Sequence, residues 1–198
     1  MGNPGPLVEW AAGMRSVIQT ERLSLWLPEP SDAPMIVAYY RANRDHLQPW
    51  SPSWPVGFFT EEFWRELARA ARTDFRAGTA LRTFIGRLAE PHRVIGNLTL
   101  SQIQRDPAQS GVIGYSLAEE AQGHGYMVEA VRGAVAYAFR ELRLHRVMAN
   151  YMPHNRRSGA VLRRAGFTVE GYARDYLRID GRWEDHVLTA IVNPDWRR

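Results

Sequence analysis

Residues 119–131 read EEAQGHGYMVEAV, and the six central residues, Gln122 to Met127, are the most informative part of the chain. Two glycines flank a histidine, a polar run precedes them, and regularly spaced apolar residues follow. A glycine-rich turn that leads into a helix gathers free backbone N–H groups, which can hold an anion. The stretch therefore predicts either an anion-binding turn or a plain strand-to-helix connection.

Three other kinds of site do not fit this turn. A dinucleotide-binding fingerprint needs a third small residue and a place after the first strand, whereas this turn lies past the middle of the chain. His124 has no second ligand at metal-binding spacing. A P-loop needs a lysine, and all 25 basic residues of the chain are arginine.

The composition is that of one globular domain, with 198 residues, 45% hydrophobic and 23% charged. The chain has no cysteine, which excludes disulfides, thiolate metal sites and a cysteine nucleophile and fits a cytoplasmic location. We expect no direct nucleic-acid partner, because a net charge of +4 fits a general preference for arginine better than a nucleic-acid surface.

Residues 1–19 are expected to form a tail or an arm on the surface. They show no basic segment followed by an apolar core, so we expect no signal peptide. No apolar run approaches the length of a membrane span, so no membrane partner is expected.

Hydrophobic periodicity predicts the elements of a domain at residues 20–198. Predicted strands lie at residues 22–28, 82–88, 93–103, 110–117, 145–152, 167–179 and 182–192. Predicted helices begin at Ser31 or Asp32, at Thr60, after the glycine turn and at Asn155. Gly78 and Gly166 are expected to end the second and the last of these helices, and the helix after the glycine turn is expected to include Leu142. The tryptophan- and proline-rich segment 46–58 fits neither period, and Asp180–Gly181 is a hairpin signal. The order predicts an α/β fold with a mixed, mostly antiparallel sheet flanked by helices.

Two segments together resemble the GNAT family of acyl-CoA N-acetyltransferases. They are AEEAQGHGYMVEAV at 118–131 and ANYMPHNRRSGAVLRRAGFTVEGYARDYLRIDGRWEDHVLTAI at 149–191. Within the family the chain is similar to the Rim group, which acetylates ribosomal proteins, and above all to the RimJ type. The resemblance covers about residues 20–196. Most members of the family have glycine or alanine at the position of Met127. This departure from the general pattern resembles the RimJ group.

The resemblance implies acetyl-CoA as co-substrate and no metal. Backbone N–H groups of the glycine turn would hold the pyrophosphate, and the pantetheine arm would bond like an extra strand beside residues 115–117. Asn155 would face that arm and also cap its helix. The expected binding residues are Tyr115, Ser116, Leu117, Gln122, Gly123, His124, Gly125, Tyr126, Met127, Asn155 and Ser158.

The resemblance also implies direct attack of an amine on the thioester. Ser158 matches a serine that Rim relatives aim at the departing sulfur, with a helix-capping contact as the alternative. Asp175 and Tyr176 are expected to order the amine, or else to be exposed strand residues. The resemblance places Asp185 and His186 on the last core strand, where structural roles are expected. Rim relatives place acids where this chain has Asn150 and Leu177, so the sequence shows no committed carboxylate base.

Trp50, in an LxPW element shared with Rim relatives, is expected to roof the acceptor site. The leading hypothesis is a monomeric or homodimeric enzyme that acetylates the N-terminal alanine of a ribosomal protein, by resemblance the small-subunit protein S-five. The alternatives are another amine, such as a different protein N-terminus, an antibiotic or a polyamine, and a non-catalytic ribosome-associated module.

Overall fold

The computed structural model describes residues 16–196, so the tail expected at residues 1–19 lies almost wholly outside the described residues. Eight strands form one sheet in the order β1-β2-β3-β4-β5-β6-β8-β7. The strands are β1 (Ser16–Gln19), β2 (Leu23–Trp26), β3 (Leu81–Arg87), β4 (Gly96–Gln104), β5 (Ser110–Leu117), β6 (Arg146–Tyr151), β7 (Thr168–Ile179) and β8 (Arg182–Val192). The helices are α1 (Ala33–Ala42), α2 (Arg44–Leu47), α3 (Glu61–Ala77), α4 (Tyr126–Arg140) and α5 (Arg156–Ala165).

Every pair of neighbouring strands is antiparallel except β5 and β6, which run parallel. The predicted mixed, mostly antiparallel sheet in a single domain is therefore confirmed. Helices α1 and α3 pack together, and so do α4 and α5. Tyr115 of β5 reaches Ser158 of α5, whereas the next residue, Ser116, reaches Tyr39 of α1. Because successive strand residues point to opposite faces, α1 and α5 cover opposite faces of the sheet.

Residues with specific backbone roles set the helix boundaries as predicted. The hydroxyl of Thr60 accepts a hydrogen bond at the start of α3, and Gly78 ends that helix with a φ of 68°. Asn155 caps α5, and Gly166 ends it with a φ of 97°. A left-handed residue after a helix is strained for any side chain with a Cβ, which is why glycine stops both helices.

The structure differs from the sequence prediction in three local features. Ser16–Gln19 forms an edge strand, too short to show a period, that pairs with β2. The segment predicted as irregular contains α2 and a 3-10 turn at Gln48–Trp50. The helix after the glycine turn ends at Arg140, so Leu142, predicted to lie within it, follows its end.

Candidate active site

A gap opens in the middle of the sheet between β5 and β6. The two strands pair only through Ser110–Val112 and Arg146–Met148. Beyond these residues no ladder in the described part of the chain joins them, so residues 113–117 and 149–151 border an opening. Helices α4 and α5 follow the two strands and begin at the mouth of this gap. Ligands of α/β proteins characteristically bind at the carboxyl ends of parallel strands, where helix N-termini also meet.

The glycine turn lies at this mouth in a conformation that exposes its backbone. Gly123 and Gly125 have φ values of 82° and 77°. A Cβ added at Gly123 would meet no atom within 4 Å. The N–H groups of residues 123–128 have no hydrogen-bond partner among the residues that the structure describes. Together with the positive end of the α4 dipole, these donors form a cradle suited to an anion such as a pyrophosphate.

Glu129, in the first turn of α4, anchors the cradle to the N-terminal strands. Its carboxylate accepts hydrogen bonds from the Thr20 hydroxyl at 2.6 Å and from the backbone N–H and side chain of Arg22 at 2.8 and 2.7 Å. Burial acts to raise the pKa of Glu129, but these bonds and the Arg22 charge hold that pKa below its ordinary value. Arg22 also donates to the carbonyl of His124 at 3.1 Å. The negative charge beside the anion cradle is thereby neutralised.

Gln122 joins the cradle to two other elements. Its side-chain oxygen accepts from Arg157 of α5 at 2.8 Å, and its side-chain nitrogen lies 2.9 Å from Nε2 of His46 in α2. Gln122 therefore holds a guanidinium beside the turn rather than standing free to face a ligand. Because Arg22 is paired with Glu129, Arg157 supplies the net positive charge beside the cradle, which favours an anionic ligand.

The other residues of the turn contribute through the backbone. No hydrogen bond of the His124 imidazole is found among the described residues, and the ring lies 5.6 Å from that of Tyr126. Tyr126 also lies under the Arg22 guanidinium, 4.7 Å from ring centroid to Cζ. Met127 is 5% exposed and its side chain packs into the core, which holds the start of α4 in place. Its backbone N–H remains without a partner among the described residues.

Tyr115 and Ser158 meet across the gap. The Tyr115 hydroxyl lies 2.9 Å from Oγ of Ser158, and either oxygen can donate. Burial raises the pKa of Tyr115 to about 12, so its hydroxyl stays protonated through the neutral range. The N–H of Ser158 donates to Oδ1 of Asn155 at 3.1 Å. The N–H of Ser158 therefore makes the helix-capping contact, while its hydroxyl pairs with Tyr115 beside the gap.

The side chains next to Tyr115 have fixed partners. The Ser116 hydroxyl lies 2.8 Å from the Tyr39 hydroxyl and accepts from Asn97 at 2.6 Å. Burial raises the pKa of Tyr39 well above its usual value. The Ser116 side chain is therefore occupied within the fold, and Leu117 is half-buried.

On the face opposite α5, Tyr176 is brought to the gap and Asp175 is not. The Tyr176 hydroxyl accepts from Nδ2 of Asn150 at 3.2 Å, which ties the edge strand β7 to the open end of β6. Asp175 is exposed in a bulge of β7 with a φ of 46°. Its N–H donates to Oδ1 of Asp185 at 2.8 Å, and no described contact links Asp175 to the gap.

The segment Gln48–Ser51 crosses toward the second half of the chain. The Trp50 ring, 39% exposed, lies 5.5 Å from that of His154, which precedes α5. The carbonyl of Ser51 accepts from the N–H of Asp180 at the β7–β8 turn, at 2.9 Å. Trp54 instead stacks on Phe58 at 5.1 Å, so it stabilises the loop itself. Trp50 thus lies beside the start of α5, and its role as a roof of the acceptor site stays a prediction.

Sequence reasoning missed four contacts of this site: Tyr115–Ser158, Asn150–Tyr176, His46–Gln122 and Arg22–Glu129. Each joins residues more than 20 positions apart, and no motif or period in a single sequence signals such pairs. Within residues 16–196 no group of three or more His, Asp or Glu side chains is arranged to hold a metal ion. In the same range no helix is both long and apolar enough to span a membrane.

Comparison with known proteins gives a consistent result. The family model described as an acetyltransferase (GNAT) domain matches residues 22–168. The chain is 40% identical over 181 residues to the [ribosomal protein uS5]-alanine N-acetyltransferase of Escherichia coli, covering 90% of this chain and 92% of that protein.

Solved structures give the same picture. The ribosomal-protein-S5-alanine acetyltransferase of Vibrio fischeri superposes with a TM-score of 0.85 at 39% identity, covering 91% of this chain and 98% of that one. RimJ of Mycobacterium smegmatis, solved in complex with CoA-disulfide, gives a TM-score of 0.81 at 29% identity, covering 89% of this chain and 84% of that one.

Proposed function

This chain belongs to the GNAT family and is an N-acetyltransferase, and we propose that it acetylates the N-terminal alanine of a ribosomal protein, uS5 in particular. Acetyl-CoA would be the acetyl donor. An acceptor of this kind would place the enzyme in the cytoplasm, as the absence of cysteine led us to expect.

The observation that carries the proposal is the gap between β5 and β6 with the anion cradle at its mouth. The free N–H groups of residues 123–128 fit the pyrophosphate of coenzyme A, and Arg157 supplies matching charge. The unpaired edge of β5 fits an extended pantetheine arm, which can bond to the backbone as a strand does. The similarity to the uS5-alanine enzyme over nine tenths of the chain supports the choice of acceptor.

Ser158 is suited to help the sulfur leave. When Tyr115 donates to Oγ of Ser158, the seryl hydrogen is free to donate toward the gap. The leaving group is the thiolate of a thiol whose pKa is about 8.5, so it needs little protonation as it departs. A hydrogen bond from a hydroxyl therefore suffices. The acetyl carbon forms its new bond to the amine nitrogen as the bond to sulfur breaks.

The weak basicity of the site favours an α-amino group over a lysine side chain. Neutralising an α-amine with a pKa of about 7.7–8.0 at about pH 7.4 costs roughly 0.4–0.8 kcal/mol, whereas a lysine side chain costs roughly 4 kcal/mol. Asn150, at the open end of β6, carries no charge, and Leu177 is exposed on β7. A site without a carboxylate there suits the amine that is easier to deprotonate.

A peptide series tests this proposal. Peptides that begin with Ala, Ser, Thr or Met, each also carrying an internal lysine, are incubated with the enzyme and acetyl-CoA and followed by mass spectrometry. We expect the fastest acetylation on the α-amine of the alanine peptide, and none on a matched peptide whose N-terminus is blocked. Equal or faster reaction of a small amine such as a polyamine would refute the acceptor assignment and leave the acetyltransferase activity in place.

A further inference from the structure

His186 on β8 is a buried imidazole that the site described above leaves without a role. The residue is 4% exposed. Its Nδ1 lies 2.9 Å from the backbone carbonyl oxygen of Glu184. Because a carbonyl oxygen only accepts, Nδ1 must carry the hydrogen of this bond. In the neutral ring, Nε2 is then the unprotonated nitrogen and a hydrogen-bond acceptor.

Nε2 of His186 has no hydrogen-bond partner among the described residues, and it is not sealed off from solvent. The fully shielded side-chain nitrogens and oxygens without partners in the described part of the chain belong to Trp26, Arg87, Gln109 and His145. Since Nε2 is absent from this group, the small exposed area of His186 includes that atom. An acceptor nitrogen that reaches open space can take a hydrogen from a water molecule or from a ligand.

The imidazole lies on the face of the sheet that carries the Asn150 and Tyr176 side chains. Asn150 pairs with Leu188, and His186 shares the face of Leu188 because two positions separate them along β8. Tyr151, the next residue on β6, lies against Gly159 of α5, so this face is turned away from α5. The Tyr176 ring lies 5.5 Å from the His186 ring, and its hydroxyl bonds to Asn150.

The opposite border of the gap leaves room on the same face. Continued past its last pair, the β5–β6 register would set Gly114 opposite Asn150. Gly114 is exposed, and a Cβ there would meet no atom within 4 Å. An acceptor amine that enters on this face therefore passes between a bare backbone on β5 and the Asn150, Tyr176 and His186 side chains.

We propose that His186 accepts, through Nε2 directly or through one water, the proton that the acceptor ammonium loses before attack. This step rests on the proposed function. The N–H bond of the ammonium breaks and its proton goes to Nε2, which leaves a neutral amine and a charged imidazole. The amine attacks the thioester carbonyl, the C–S bond breaks, the nitrogen releases a second proton, and the thiolate gains one to leave as thiol. One proton is released to solvent overall when His186 is reset.

The charges around His186 suit this exchange. The titratable groups close to it are Tyr176 on β7 and its β8 neighbours Glu184 and Asp185. Hydrogen bonds from the Tyr172 hydroxyl and the N–H of Asp175, and then the charges of Arg174 and His186, hold the pKa of Asp185 below its ordinary value. In residues 16–196 no hydrogen bond or ion pair joins His186 to a charged side chain of the helices. The His186 ring is therefore not held in an ion pair with any described residue.

The pH dependence of the His186→Gln variant tests the proposal with whichever amine proves the best acceptor. At about pH 6.5 we expect the kcat of the variant to be roughly 10–100-fold below that of the wild type. At about pH 9, where the amine is already neutral, we expect the two kcat values to be equal. His92→Gln, an exposed histidine in the β3–β4 connection, should behave as wild type at every pH. A deficit of equal size at all pH values marks a structural role and overturns the proposal.

A measurement on the wild-type protein covers the case in which His186→Gln does not fold. Nitrogen chemical shifts of the labelled ring, assigned through bonds to the His186 backbone, report which nitrogen is protonated. We expect the hydrogen on Nδ1 and a bare Nε2 at about pH 8. If the His186 ring carries its hydrogen on Nε2 at about pH 8, the proposal is overturned. Failure of the alanine peptide as acceptor would refute the proposed function alone, because the pH comparison needs only an acetylated amine.

Discussion

Replacing Gly123 by alanine separates ligand binding from backbone strain in the anion cradle. Gly123 has a φ of 82°, and a Cβ there would meet no protein atom within 4 Å. The added methyl group therefore disturbs the folded protein only through the left-handed backbone. That strain costs roughly 1–2 kcal/mol, and roughly 0.4–1 kcal/mol is regained because alanine restricts the unfolded chain. We expect a net loss of about 1 kcal/mol and a fall in Tm of about 2–4 °C.

Gly78→Ala is the matched control. Gly78 has a φ of 68° at the end of α3, again with no atom within 4 Å of a Cβ. Its replacement should lower Tm by a similar amount, although it lies outside the cradle. If the proposed pyrophosphate site is correct, only the methyl group at Gly123 lies within it.

Loss of one hydrogen bond to a charged acceptor costs roughly 1.5–3 kcal/mol, which corresponds to roughly a tenfold to hundredfold weaker binding. Isothermal titration calorimetry with acetyl-CoA should show this loss for Gly123→Ala and wild-type affinity for Gly78→Ala. Equal affinities for the two variants would refute the assignment of residues 123–128 as the pyrophosphate site.

Two further predictions concern the anchor of the cradle and the pair at the sulfur. Because the folded-state pKa of Glu129 lies below its ordinary value of 4.5, its contribution to stability is complete well above that pH and is lost as the pH falls through the folded-state pKa. Glu129→Gln should lower Tm at about pH 7, and the difference in Tm from the wild type should shrink toward about pH 3. A calorimetric Tm difference that stays constant with pH would contradict the role of the Glu129 charge. Tyr115→Phe removes the partner of Ser158 and should lower kcat by the same factor from about pH 6 to about pH 9, because the pKa of Tyr115 is about 12 and its hydroxyl does not titrate there. A deficit confined to one end of a steady-state kcat profile would contradict this account.

The sequence predicted the fold well because local signals mark its elements. Thr60, Gly78, Asn155 and Gly166 have capping roles that depend on nearby residues, and the structure uses each of them in that role. At the β7–β8 hairpin, both Asp180 and Gly181 adopt positive φ, as the predicted turn requires. The strand Ser16–Gln19 was missed because four residues are too few to show a period, and its pairing with β2 is a tertiary contact.

The site was predictable only in part, because local signals mark its backbone groups but not its tertiary contacts. The cradle could be found because its donors are consecutive backbone groups and its glycines are visible in the sequence. Gln122 was expected to face the ligand, yet it bonds to His46 and Arg157, which approach from other elements. His186 was interpreted as a structural residue of the last strand, because only the sheet register shows that it shares a face with Asn150.

The most direct test of the account uses the full-length ribosomal protein uS5 with a free N-terminal alanine. The protein is incubated with the wild-type enzyme and acetyl-CoA, and tandem mass spectrometry then locates the acetyl group. The account predicts a single acetyl group on the α-amine of that alanine and no reaction with a copy whose N-terminus is already blocked. Acetylation of lysine side chains, or no acetylation under conditions in which the enzyme binds acetyl-CoA, would contradict it.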